Sequence, residues 1–291
     1  MKAPAFDYRR AASVEEAIAL LAQYGDDARV LAGGQTLLAT LNMRLSEPAL
    51  LIDITGLGAL RGIERRGDRL WIGALVTHSD IEASSLVSEL APLLCAAAPH
   101  IAHRAVRNAG TWGGSLAYAD PAAEWPACLL ALEGVVTVQG AHGQRRIAAR
   151  EFFRDLYTTA MAPDELLVGA DLPAATVADW FGFDELARRR GDYAAAGVAV
   201  AARFDRRVAQ YVRLSFLGVG GTPLRAPRTE ALLAGKELTS ATIEIALASL
   251  KAELDPLPDL HHEGATKLHL ATVLARRLLV AAAASRDALS A

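Results

Sequence analysis

Apolar positions in the first sixty residues switch repeatedly between the spacing of strands and that of helices. Residues 6–9 read as a short strand, and Ser13 followed by Glu16 is a capping box that opens an amphipathic helix over 14–24, which Gly25 closes. The run 29–31 then predicts a strand, Gly33-Gly34 a turn, 35–44 a helix and 49–53 another strand, together a compact α/β unit. From Leu60 the pattern becomes that of hairpins. RGIERRGDRLWIGAL is two alternating runs about Gly67-Asp68, and a second hairpin spans 135–138 and 144–147 around residues 140–143. Between them, residues 77–101 read as helical, and 165–172 as a closing strand that ends the second lobe near Pro173.

Beyond Pro173 the pattern starts afresh. Strand-like runs in FGFDELARRRGDYAAAGVAVAARF and RVAQYVRLSFLGVGGTPLRA precede a mostly helical stretch from Thr239, which finishes in a long Ala/Leu/Arg helix. Strands followed by helices predict an α+β unit. The expected division is a first domain over 1–175, with lobes at about 1–57 and 58–175, and a second over 176–291.

Composition narrows the functional classes. With 52% hydrophobic and 22% charged residues in 291, the chain can build a full core, and its net charge of −3 provides no basic field for nucleic acid. Its opening residues lack an apolar signal region, and no uncharged apolar run long enough to span a bilayer is evident, so a cytoplasmic location is expected. Cys95 and Cys128 read as buried thiols, since two cysteines cannot hold an ordinary iron–sulfur cluster and have no zinc spacing. The histidines show no metal-binding arrangement; His78, His100, His103, His261 and His262 are expected on the surface or at caps. No nucleophile elbow supports hydrolysis.

Two glycine pairs carry the candidate chemistry. In AGGQTLLATLNMRL, residues 32–45, backbone that turns sharply before a helix can direct successive N–H groups at an anion, aided by the helix dipole. By itself such a pair is an ordinary turn. A second pair, in TWGGSLAYADPAAE at 111–124, has a similar small polar dressing. Two loops gripping one diphosphate would make a dinucleotide site.

Taken together, AGGQTLL, RNAGTWGGSLAYADPAAEWPA and ELARRRGDYAAAGVAV, in that order, resemble the FAD-binding medium subunit of molybdenum hydroxylases, the carbon monoxide dehydrogenase, xanthine dehydrogenase and aldehyde oxidase family. The resemblance implies an α+β fold: a two-lobed FAD-binding domain of the vanillyl-alcohol-oxidase-like (PCMH) type, followed by a smaller α+β C-terminal domain of the carbon monoxide dehydrogenase flavoprotein type. It implies non-covalent FAD, with Leu31, Ala32, Gly33, Gly34, Gln35, Thr36 and Leu37 around the pyrophosphate and Thr111, Gly113, Gly114 and Ser115 closing over it. Ile101 would pack near the flavin or its adenine arm, and Leu167 would be an apolar contact. Glu124 would accept hydrogen bonds from sugar-like hydroxyls, with Asp120 alongside; the plainer reading makes Asp120 the start of a helix with Glu124 in its first turn. Tyr193 would cover the isoalloxazine end. The chain departs from the pattern at Glu185, where many relatives have lysine, and at Trp112, where Ile or Val is common. Arg188, Arg189 and Arg190 read as a solvated or subunit-facing run.

The function so implied is electron transfer. FAD would take electrons from iron–sulfur clusters of a partner and pass them to an external acceptor, with no catalytic residue or metal ligand in this chain. The implied partners are a large molybdopterin subunit and a small subunit with two two-iron two-sulfur clusters, in a heterotrimer or a dimer of heterotrimers. The alternative is a self-contained flavin oxidoreductase acting directly on a small organic substrate.

Overall fold

The computed structural model describes residues 2–290, with the side chains of 287–290 left out of account. Its first lobe is built on a parallel sheet in the order β1 (Asp7–Arg10), β3 (Leu50–Asp53), β2 (Ala28–Leu31). Helix α1 (Val14–Tyr24) buries Ala17, Ile18 and Leu21 against it. Ser13 Oγ accepts the Glu16 N–H, while Glu16 reaches past the cap to the N–H of Ala12, so the box closes one residue early. Helix α2 covers only Leu37–Asn42, shorter than the 35–44 expected, because Gln35 and Thr36 remain in the turn after the glycines.

The second lobe is a five-stranded antiparallel sheet, β4 (Ile63–Arg66), β5 (Arg69–Gly73), β10 (Leu166–Pro173), β6 (Val135–Gly140), β7 (Gly143–Ala148) in spatial order. Both hairpins form as their alternation predicts, and the last strand in sequence occupies the centre, buried along nearly its whole length. The helical stretch after β5 is broken into α3 (His78–Ala83), α4 (Ser85–Leu90) and α5 (Pro92–Ala97), followed by α6 (Arg104–Arg107), α7 (Trp112–Tyr118) and α8 (Glu124–Ala131). Between β7 and β10 lie α9 (Ala149–Phe152) and a small hairpin, β8 (Phe153–Asp155) with β9 (Thr158–Thr159).

The C-terminal sheet is an antiparallel meander of β11 (Asp179–Ala187), β12 (Ala194–Asp205) and β13 (Val208–Leu217), extended by β14 (Leu224–Arg225) and β15 (Lys236–Glu237). Helices α10 (Pro227–Leu233), α11 (Ser240–Leu247) and α12 (Gly264–Ser290) complete it. Strand β12 is buried on both faces. Ala196, Val198, Val200 and Ala202 enter the core under α11 and α12, whereas Ala199 and Ala201 belong to the core of the second lobe, beside α5 and α8. Small side chains on β12 let helices approach both sides of the sheet, so the C-terminal sheet and the second lobe share one hydrophobic core.

Helix α12 carries charged residues along its length, so the expectation that no uncharged run spans a bilayer is not overturned by it. Among the described residues it is the one helix long and apolar enough to cross a membrane, yet Ala271, Leu274, Ala275, Leu279 and Ala282 are buried in the C-terminal core. Arg276 pairs with Glu244 and Arg277 with Asp184, as on a helix packed against a sheet. Cys128 is buried as expected, but Cys95 is only half-buried.

Helix α7 begins in tight contact with the chain leaving β5. The Gly113 N–H donates to the Ala74 carbonyl, and a Cβ on Gly113 would lie 2.5 Å from Ala74 Cβ and 2.7 Å from its Cα. Gly113→Ala should therefore lower stability by about 1–3 kcal/mol through overpacking, read as the midpoint of denaturant unfolding.

Candidate functional site

The two glycine loops, about eighty residues apart in the chain, meet in space. A Cβ on Gly33 would lie 2.1 Å from the Ala109 carbonyl oxygen and 2.8 Å from Gly110 Cα, so only glycine permits this approach. Gly34 has φ +70°, the left-handed region that also favours glycine. Among the described residues, the N–H groups of Gly33, Gly34, Gln35 and Thr36 donate to no protein acceptor. Four successive donors left open ahead of a helix suit an anion.

The second loop is different, and corrects the idea that it offers the same donors. The Trp112 N–H donates to Val76, Gly113 to Ala74, and Gly114 to Thr111 Oγ1, which caps α7. What it offers is a surface: Gly114 lies near Ala32, and the Ser115 hydroxyl has no hydrogen-bond partner among the described residues. Leu31 ends β2 beside this junction and Leu37 begins α2.

The loop is held from beneath by His78. Trp125 Nε1–H donates to His78 Nδ1 at 2.8 Å, the Trp112 and Trp125 rings meet edge-on at 5.6 Å, and a Cβ on Gly110 would lie 2.6 Å from His78 Nε2. His78 is thus a buried neutral acceptor and not the surface or cap residue expected. Burial, and secondarily the charge of Arg107, push its pKa down to about 4. His100 also departs from expectation: its Nδ1 lies 3.6 Å from Glu185 Oε1.

From the junction the chain leads both ways toward an acidic wall. Backward lie Ala102, with φ +42°, and Ile101, which is buried; the backbone of Gly191 abuts Ala102. Forward, α7 ends at Tyr118, whose ring lies 5.1 Å from Tyr157, and Ala119 turns with φ +54°. Asp120 Oδ1 accepts the Ala122 N–H at 2.9 Å within the turn, while α8 has Ala123 at its N-cap with no side-chain bond, so Asp120 does not start the helix as the plainer reading had it. Glu124 opens α8 half-buried, and burial followed by the charge of Glu185 pushes its pKa up to about 8. Tyr193, 66% exposed, feels Asp120, Tyr118 and Glu124, which places these groups together. Leu167 is buried in the second-lobe core at a bulge of β10. Arg188, Arg189 and Arg190 are exposed.

Sequence reasoning missed Ala109, Gly110, Tyr118, Tyr157 and the pairing of His78 with Trp125. The first three lie inside the quoted motif, where attention to neighbours of the glycines would have found them. Tyr157 and the histidine pairing carry no local signal.

Residues 4–175 match the family model described as the FAD binding domain in molybdopterin dehydrogenase. The chain belongs to that family. Residues 181–282 match the carbon monoxide dehydrogenase flavoprotein C-terminal domain. This FAD-binding chain is 39% identical to the 6-hydroxypseudooxynicotine dehydrogenase complex subunit alpha of Paenarthrobacter nicotinovorans, covering 97% of this chain and 96% of that one. Its structure superposes on a chain of carbon monoxide dehydrogenase from Hydrogenophaga pseudoflava with a TM-score of 0.95 at 36% identity, covering 98% and 99% of the two. For quinoline 2-oxidoreductase from Pseudomonas putida 86 the TM-score is 0.92 at 35% identity, with the same coverage. As a member of the family, the chain is a medium, FAD-binding subunit of the molybdenum hydroxylase type and an oxidoreductase component.

The histidine gives a signed prediction. A neutral His78 stabilises the fold fully above its ordinary pKa of 6.5, and this contribution, about 3 kcal/mol, is lost as pH falls from 6.5 through about 4. Over that window the wild-type chain should lose more stability than His78→Gln in parallel thermal melts. For the loop, Gly33→Ala should deplete FAD from the purified protein while circular dichroism stays unchanged; full flavin content would remove the loop from the cofactor site.

Proposed function

We propose that this chain holds FAD non-covalently across the two glycine loops and serves as the electron-transfer subunit of a molybdenum hydroxylase. One observation carries the reading: four open N–H donors meet a second glycine loop in a chain that spans its medium-subunit relatives end to end. FAD supplies two-electron redox chemistry and exchange with one-electron carriers. The protein's own part is binding and orientation. Gly33, Gly34, Gln35 and Thr36 would take the diphosphate on their backbone N–H groups, with Leu31, Ala32 and Leu37 shaping the loop around it. Thr111, Gly113, Gly114 and Ser115 would form the opposing surface, with Ile101 and Leu167 as apolar support. Glu124, with Asp120 beside it, would meet sugar-like hydroxyls, and Tyr193 would cover the ring.

Partners follow from what this chain lacks. Its two cysteines cannot bind the clusters that deliver electrons, and relatives are named as a medium chain, a medium subunit and a complex subunit. The reading therefore includes a large molybdopterin subunit and a small subunit with two two-iron two-sulfur clusters, in a heterotrimer or a pair of them, and an external electron acceptor. Two free thiols suit a reducing, cytoplasmic setting.

Purification of the native complex tests the proposal. One FAD per copy of this chain, reduced by organic substrate only when the partner subunits are present, is the expected result; turnover by this chain alone would overturn it. At the site, Glu124→Ala should weaken FAD by about 1 kcal/mol at pH 7, the size of a neutral hydrogen bond, and by about 1.5–3 kcal/mol at pH 9, where the carboxylate is charged. Titration of the dissociation constant at both pH values checks this.

A further inference from the structure

Glu185 lies on the face of β11 that meets the second lobe, two residues from Phe183, whose ring packs edge-on against His100 at 5.1 Å. Its side chain is 5% exposed, and Oε1 lies 3.6 Å from His100 Nδ1. The other oxygen, Oε2, is buried with no hydrogen-bond partner among the described residues. A carboxylate left so is costly unless something supplies a proton or a donor. Glu185 and His100 line a half-open cavity of about 390 Å³ together with Pro99, Leu186, Arg190 and Gly191.

The charged groups around Glu185 come from several elements. His100 faces it from the segment after α5 and Glu124 from α8, with the uncharged Cys128 thiol beside them; Asp120, in the turn before α8, faces Glu124. Arg189 and Arg190 stand on the rim, where Arg189 lies 3.7 Å from Asp192. Strand β12 places Gly197 opposite Glu185, and Tyr193, just ahead of that strand, faces Asp120 and Glu124. Asp184, next along β11, pairs with Arg277 of α12. The rim arginines are exposed and screened by water, so acid dominates the wall.

We propose that Glu185, with Glu124 beside it and His100 as the path to solvent, makes two-electron reduction of the bound flavin take up two protons instead of one. This inference rests on the electron-transfer reading. An external acceptor needs the reacting ring at an open end of the site, and the arms leading from the glycine loops converge at this wall, where Tyr118, Tyr157 and Tyr193 lie. Two electrons and one proton would leave a new negative charge beside the buried Glu185 carboxylate and its neighbour Glu124. Two electrons and two protons leave the ring neutral, which an acidic wall of low polarity favours. The electrons come from the partner's iron–sulfur clusters, and the second proton enters from water through His100 and the Glu185–Glu124 pair. On reoxidation the electrons go to the acceptor and both protons leave the ring.

The test is a spectroelectrochemical titration of the flavin in the intact complex from pH 6 to 9. In the wild type, the midpoint potential should fall with pH at the slope of two protons per two electrons throughout. Glu185→Lys should drop the slope to one proton per two electrons in the upper half of the range and raise the potential there. The isosteric Glu185→Gln should move both in the same direction, and carries the comparison if the lysine variant fails to assemble. A wild-type slope of one proton per two electrons, or slopes unaltered by either variant, overturns the proposal. A complex without FAD would instead overturn the electron-transfer reading.

Discussion

The backbone of Gly33 rests against the carbonyl of Ala109, and the rest of the site is arranged around that contact. It brings a loop from a parallel three-stranded sheet against a loop from an antiparallel five-stranded one. Neither loop alone encloses anything. Where they meet, one keeps its N–H groups open and the other turns its own inward, so the second loop is rigid and the first is receptive. The inward bonds of Trp112, Gly113 and Gly114, and the Trp125–His78 bond beneath them, hold the platform on which the open donors are displayed.

Polarity changes along the site. At the glycine junction the open groups among the described residues are donors, suited to phosphate; toward Glu124 and Glu185 the polar groups are carboxyls, suited to ligand N–H and O–H groups. A dinucleotide presents that sequence of charge, anionic at its diphosphate and donor-rich toward its sugars and rings. Left-handed backbone at Ala102, Ala119 and Tyr157 marks the same region, where local strain is maintained by its surroundings.

Much of this was legible in the sequence, for physical reasons that can be named. The hairpins at 63–73 and 135–148 follow from strict alternation around turn residues, and α1 from its serine cap and glycine stop. The glycine pairs were visible because glycine is required where backbone approaches backbone. His78 was not: its capping position reads from Thr77 and Asp80, but its burial depends on a tryptophan 47 residues away. The asymmetry between the loops was equally hidden, since identical glycine pairs can present or consume their N–H groups according to what lies beneath. Strand β12 reads as a featureless run of alanine and valine, because burial on both faces erases alternation.

That doubly buried strand also bears on how such a chain changes over evolutionary time. Ala199 and Ala201 are fitted to the second lobe while Val198 and Val200 are fitted to α11 and α12, so neither half can drift in side-chain volume alone. Substitutions on α8 and β12 should be accepted in pairs, leaving correlated variation across a boundary that family models draw between two domains. Exchange of the C-terminal segment among related chains would carry over one half of a jigsaw.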